Sequence, residues 1–311
     1  MVNGGAVTVE EIIDRIDAWR GRPVSIRPLT SGLTNANYRV DVDGRAFVVR
    51  IPGASTELLA IDRGNELHSA RVAAALGIGP AVLHHFPDSG ATVIEFLHGR
   101  PMTNATLQEP GMPGRIAATL RALHAGPRFL RDFDMLGLAE GYWAVIERRG
   151  FPVPPGYRAR RPVIQEIGAA LAAHPLPSVP CHNDLLADNY IEQDGRLRLL
   201  DWEYSGNGDP AFELGNTCRE LDYDEDRVRE LCRAYFGRAP ASLVARISLH
   251  TITSDVGWTL WAAIQTGISR IEFDFSAYGA ARWARAGAAM DSLDFPRWIE
   301  AVRRPDARAE A

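Results

Sequence analysis

Not one of the 311 residues is lysine, and all 34 basic side chains are arginine. Any task a chain usually gives to lysine must fall here to a guanidinium, which never deprotonates and presents a rigid fork of donors. Cysteine is scarce too. Cys181, Cys218 and Cys232 have neither disulfide nor metal-ligand spacing, so they read as reduced, buried thiols of a cytoplasmic protein. The N-terminus lacks the basic, apolar and small-residue succession of a secretory signal. No apolar run is long enough to span a bilayer, and the most hydrophobic late segment, 249–268, is interrupted by Asp255. Positive charge is not in excess either. A net charge of −5 and a pI near 5.9 argue against a protein built to grip nucleic acid or an anionic membrane. Internal repeats and low-complexity tracts are missing.

What is there suits an ordinary globular protein, with 46% hydrophobic and 23% charged residues, long enough for one large domain or two lobes. Thr8-Val-Glu-Glu11 is a capping box that opens a short helix carrying Ile12, Ile13 and Ile16 on one side. Two β-rich runs, 37–42 and 45–51, flank Asp43-Gly44, a strong hairpin signal. A helical stretch over 58–76 ends at Gly77, with Pro80 beyond, and a second hairpin follows over 81–86 and 91–96. After Leu97 helical patterns dominate, at 116–125, 142–149, 163–173, 226–236 and 243–268. One hairpin, 189–201, interrupts them and turns at Asp194-Gly195. The expected fold is α+β and bilobal: a small antiparallel sheet with one internal helix over 1–97, then a larger, mostly α-helical lobe over 98–311.

The most informative stretch is Cys-His-Asn-Asp184-Leu-Leu-Ala-Asp-Asn189 followed by Asp201-Trp-Glu203-Tyr204. An Asp five residues before an Asn, with a second Asp closing the next strand, is the arrangement of kinase active sites. There the first Asp handles the attacking hydroxyl, while the Asn and second Asp hold metal. Hard oxygen donors of this kind suit Mg²⁺. His182 reads as a brace for the loop, Asp188 as a tolerant position and Asp194 as a turn former. The bland alternative is an acidic hairpin with solvated carboxylates.

With those motifs, and with the late Trp258-Thr-Leu-Trp261-Ala-Ala-Ile-Gln265, the chain resembles the choline/ethanolamine kinase family, bacterial branch, within the protein-kinase-like and aminoglycoside-phosphotransferase-like fold. The resemblance runs from Leu29 to Trp283. It implies an ATP- and Mg²⁺-dependent phosphotransferase with Asp184 as base and Asn189, Asp201 and Glu203 toward the metal. Ser31, Gly32, Thr34 and Asn35 match the loop that covers the phosphates. Arg50 stands where protein kinases put their nucleotide-binding lysine, with Glu66 as its partner on the next helix. Glu95-Phe96-Leu97 becomes the hinge whose backbone meets adenine. His124 is read as structural.

For the acceptor, the resemblance implies an aromatic wall of Tyr204, Trp258, Trp261 and Tyr278 around an ammonium group, with Glu220 and Tyr223 as anionic and aromatic complement. A quaternary ammonium donates no N–H bond, so ring faces suit it. The alternative is a tryptophan pair packed in the core. Thr217, Leu221 and Asp222 depart from the more aromatic pattern of the eukaryotic enzymes. Choline is the expected acceptor. Ethanolamine, an aminoglycoside and a catalytically silent kinase-like binding module are the competing expectations.

Overall fold

The structure is a computed structural model that describes residues 7–29, 34–53, 56–269 and 271–305. Ser31 and Gly32 of the expected phosphate loop lie outside the described residues.

The short helix α1 (Val9–Asp14) begins at the expected capping box, Thr8 with Glu11. It leads into a five-stranded antiparallel sheet formed by β1 (Val24–Leu29), β2 (Asn35–Val42), β3 (Arg45–Pro52), β4 (Val82–Phe86) and β5 (Ala91–Glu95), in the order β1-β2-β3-β5-β4. Asp43 and Gly44 both take positive φ, 49° and 77°, which is the turn geometry that matches the twist of a two-residue hairpin. Side chains alternate across β3. Val49 and Ile51 are buried in an apolar cluster with Ile12, Ile13, Ile16 and Trp19, so Arg50 between them faces the opposite side of the sheet. There it meets α2 (Arg63–Ala75). The helix expected over 58–76 is two pieces, a 3₁₀ turn at Thr56–Leu59 and then α2. Asp62 separates them by accepting bonds from the Gly64 and Asn65 amides, which caps α2.

The larger lobe opens with β6 (Arg100–Pro101), α3 (Asn104–Leu107), α4 (Met112–His124), α5 (Met135–Arg149) and α6 (Tyr157–Ala173). The acidic hairpin is β8 (Tyr190–Gln193) with β9 (Arg196–Leu199), turning at Asp194-Gly195 with φ of 51° and 73°. Before and after it, β7 (Val179–Cys181) pairs with β10 (Gly206–Gly208). Four helices follow: α7 (Pro210–Glu220), α8 (Glu225–Phe236), α9 (Ala241–Ile268) and α10 (Phe275–Met290), with α11 (Phe295–Arg303) closing the described chain. The 28-residue α9 is buried from Val244 to Gln265 and forms the lobe's axis. Its buried polar side chains Arg246, His250 and Asp255 are accordingly each partnered. No described helix is long and apolar enough to cross a membrane.

Helices α7, α10 and α11 and strands β7 and β10 were not among the expected elements. Helix α7 is buried on nearly every side, and in α10 the buried face of Phe275, Gly279, Trp283, Ala286 and Met290 is blurred by the alanines that also fill its outer face, so neither stands out by contrast in the sequence. Their helicity is decided by packing on α9. The contact between α7 and α9 is close because Gly215 has no side chain: a Cβ there would lie 2.6 Å from the His250 Cβ and 2.8 Å from the Ile247 carbonyl oxygen. Gly215→Ala is expected to lower unfolding free energy by about 2 kcal/mol through overpacking. Urea denaturation measures this, and unchanged stability would mean that the two helices can part without cost.

Candidate active site

The loop between β7 and β8 is shaped by side chains from α7. Glu213 is completely buried and accepts from the His182 amide at 2.8 Å, the Asn183 amide at 2.9 Å and His124 Nε2 at 2.6 Å. Bonds from these donors hold its carboxyl below the usual range despite burial. Asn216 accepts from the Leu185 amide at 2.8 Å. Asn183 sits at a φ of 71° and donates to the Tyr204 carbonyl at 3.0 Å, tying the loop to the segment after Asp201. His182 bonds the Leu200 carbonyl oxygen at 2.7 Å and packs edge-on against Trp202, with centroids 4.7 Å apart. Asn189 donates to the Asp184 carbonyl at 2.7 Å. Asp184 is thus presented by a loop whose backbone is bonded on both sides.

Asp201 takes a φ of 65°, an uncommon conformation for a residue with a Cβ, at a cost of roughly 1–2 kcal/mol. Arg50 holds it there, with Nη2 lying 2.6 Å from Asp201, 3.0 Å from Glu203 and 3.2 Å from Glu66. Arg63 reinforces the group, 2.6 Å from Glu66 and 3.4 Å from Glu203, and donates to Asn35 at 3.0 Å. Asn35 in turn donates to Glu203 at 2.8 Å. One carboxylate oxygen from each of Glu66, Asp201 and Glu203 lies within 4.8 Å of the others. Three carboxylates against two guanidiniums leave the cluster short of positive charge. Its donors are all hard oxygens, so the residues present fit a Mg²⁺ ion.

Burial and the neighbouring Asp201 charge push the Glu203 carboxyl up to about 7, against the pull of Arg50. Burial and the charges of Asp201, Glu220 and Glu203 push Asp184 well above the carboxylate range, with Arg282 opposing them.

The expected acceptor residues are largely brought together. Trp261 Nε1 donates to the Tyr204 hydroxyl at 2.8 Å. Trp258 meets Tyr204 edge-on at 4.9 Å and Trp261 at 6.2 Å, and Tyr278 is 6.0 Å from Trp261. Trp258 and Trp261 are 4% and 5% exposed and belong to the large apolar cluster around α9, so this wall is also the edge of the core. Burial pushes the Tyr204 and Tyr278 hydroxyls up, helped by the charges of Glu203 and Asp184 at Tyr204 and of Glu220 and Asp184 at Tyr278, so the wall stands near Asp184. Glu220 is paired with Arg282 at 2.7 Å. Tyr223 stands apart: its hydroxyl donates to the Leu107 carbonyl at 2.6 Å and its ring packs on the core around α4 and α8. Glu95 accepts from the Ala81 amide at 3.1 Å, and Leu97 is buried at the end of the sheet. Thr34 is half-buried where β2 begins.

Arg63, Glu213, Asn216 and Arg282 were not singled out from the sequence. Arg63 stands three residues before Glu66, one helical turn away, and Arg282 stands four after Tyr278. Those spacings are the only local signal. Glu213 carries none, because its partners are backbone amides thirty residues upstream.

A small antiparallel sheet, a helix salt-bridged to its central strand, and the Asp184 loop followed by an acidic hairpin define a phosphotransferase of kinase-like fold. The comparisons with known proteins agree. A family model described as "phosphotransferase enzyme family" matches residues 25–244, and the chain belongs to that family. Among curated relatives, it is 30% identical to ethanolamine kinase 1 of Mus musculus, over 85% of this chain and 84% of that protein. Among solved structures, a choline/ethanolamine kinase family protein from Mesorhizobium loti superposes with a TM-score of 0.82 at 34% identity, covering 94% of this chain and 96% of the other. The choline kinase LicA of Streptococcus pneumoniae superposes with a TM-score of 0.77 at 24% identity, covering 90% and 98%, and so shares the fold.

The raised Glu203 carboxyl has a consequence for stability. Only the folded chain carries the shift, so its stabilising share is complete below about 4.5 and is lost as pH rises through about 7. In metal-free protein the melting temperature of Glu203→Gln is therefore expected to gain on wild type between pH 5 and pH 8. A constant difference across that range in thermal melts would contradict the shift.

Proposed function

We propose that this chain is an ATP- and Mg²⁺-dependent kinase for the hydroxyl of a small amino alcohol, with choline as first acceptor and ethanolamine as second. The observation that carries the reading is the junction at Asp184. Asn183, next to Asp184 on its loop, donates to the Tyr204 carbonyl at 3.0 Å, Tyr204 directly follows Glu203 of the acidic cluster, and its hydroxyl accepts from Trp261 at 2.8 Å, so loop, cluster and aromatic wall meet there.

In this reading residues 1–97 form the nucleotide lobe and 98–311 the catalytic lobe. Arg50 takes the α- and β-phosphate oxygens in the role lysine has in protein kinases, and Glu66 keeps it in line. The loop with Ser31, Gly32, Thr34 and Asn35 covers the phosphates, and the backbone of Glu95 and Leu97 meets adenine. Asn189, Asp201 and Glu203 would hold Mg²⁺, which when bound neutralises charge on the phosphate oxygens. Asp184 orients the acceptor hydroxyl toward the γ-phosphorus and accepts its proton. The loop bonds from Glu213 and Asn216 keep the base in place, so that positioning supplies much of the acceleration.

The ring faces of Tyr204, Trp258, Trp261 and Tyr278 suit a trimethylammonium head, which favours choline. The ethanolamine kinases among the relatives support the second acceptor. An aminoglycoside fits less well, because a polycation needs a broad acidic cleft, whereas Glu220 is already paired and the two tryptophans are closely packed. A silent binding module would be expected to lack one of Asp184, Asn189 and Asp201, and all three are present.

The test is ADP release from Mg²⁺-ATP with choline, ethanolamine, thiamine and an aminoglycoside. Turnover is expected with the amino alcohols, and Asp184→Asn is expected to lower kcat by about 10³-fold. Absence of turnover with any amino alcohol would sink the proposal. Trp258→Leu is expected to raise the acceptor KM by about tenfold, the value of one lost cation–π face, with the ATP KM unchanged. Equal loss of both would assign Trp258 to the core alone.

A further inference from the structure

Arg282 links the three helices that carry Glu220, Trp258 and Trp261, and Tyr278. It lies on α10, one turn beyond Tyr278, and its side chain is 6% exposed. Its Nη2 sits 2.7 Å and 2.8 Å from the two oxygens of Glu220 on α7. Its Nη1 is 3.3 Å from Asp255 on α9, one turn before Trp258. Its guanidinium carbon stands 4.6 Å over the Tyr278 ring.

Two of those partners are served by others. Asp255, completely buried, also has Arg219 Nε at 3.0 Å and Arg285 Nη2 at 2.8 Å. Tyr278 has ring neighbours in Trp261 and Phe273. For Glu220, Arg282 is the only cation paired with it among the described residues. The guanidinium thus cancels the charge of the carboxylate proposed to face the acceptor and turns both its oxygens toward one nitrogen. It also covers one face of Tyr278.

The two acceptor chemistries feel this differently. A primary ammonium carries three N–H donors and needs oxygen acceptors when desolvated. A trimethylammonium needs none and is satisfied by ring faces and field. We propose that Arg282 is a positioning residue that biases the site toward quaternary over primary ammonium acceptors, by occupying the Glu220 carboxylate. The inference rests on the amino-alcohol reading above.

The experiment compares kcat/KM for choline and ethanolamine, at saturating ATP, in wild type, Arg282→Met, Arg282→Lys and the double variant Arg282→Met with Glu220→Gln. Freeing the carboxylate in Arg282→Met is expected to move the ethanolamine-to-choline ratio at least about tenfold toward ethanolamine, the scale of a charged hydrogen bond. The double variant, which removes the freed carboxylate, is expected to return the ratio to choline. Lysine cannot span Glu220 and Asp255 together, so Arg282→Lys is expected to shift the ratio the same way by about threefold. A ratio that does not move in the arginine variants, or a shift that survives in the double variant, overturns the inference. Should Arg282→Met fail to fold with Glu220 unpaired, Arg282→Lys decides by the same criterion. Wild type inactive on both amino alcohols removes the underlying reading and this inference with it. Wild type active with an unmoved ratio removes this inference alone.

Discussion

Everything at the active site depends on how buried carboxylates find positive charge. Arg50 stands at the centre of that constraint, because one guanidinium nitrogen meets Glu66, Asp201 and Glu203 together. These contacts join the central strand of the sheet, the helix behind it and the acidic hairpin of the other lobe. Such a pair contributes little net stability, since desolvation offsets most of the attraction, but removing one member leaves a buried charge uncompensated. The network therefore acts as a register device. It fixes where Asp201 stands, in a backbone conformation that it would otherwise avoid.

The same solution recurs deeper in the larger lobe. Asp255 lies inside α9 with no exposure, in the middle of the lobe's most buried helix. Arg219, Arg282 and Arg285 converge on it from α7 and α10. At the other end of α7, Arg246 and His250 of α9 pair with its capping Asp209 and hold that carboxyl below its usual range. In a chain without lysine, both junctions are built from planar forks that can bridge two acceptors at once. That property lets one arginine reach Glu220 and Asp255 together and link three helices around the proposed acceptor wall.

Much of the fold was legible where the signal is local. Asp43-Gly44 and Asp194-Gly195 announce their hairpins because both residues of such turns need positive φ, which Asp tolerates and Gly prefers. Thr8 with Glu11 announces a helix start through side-chain bonds three residues apart. Helix α10 was not legible, since alanines on its outer face blur the buried stripe, and α7 was not, since it is buried all round. At the site, the pairing of Arg50 with Glu66 was legible only through the family resemblance, from the position of Arg50 relative to the motif. Tyr223, expected beside the aromatic wall, turns instead to Leu107. A positive φ of 50° at Asp222 redirects the chain just before it, and nothing in the local pattern reports that turn's direction.

By itself, then, the sequence determined the class of chemistry: hard-oxygen donors at Asp184, Asn189 and Asp201, and an arginine wherever a cation is required. Those are properties of residue type and short spacing, which survive without a fold. Only the tertiary structure decided which carboxylates are free and which are already paired. Glu213 is spent on loop amides, Glu220 faces Arg282, and Asp201 shares Arg50. The reason is physical. The charge state and reach of a buried carboxylate depend on partners tens to hundreds of residues away, and only packing brings them within hydrogen-bond distance.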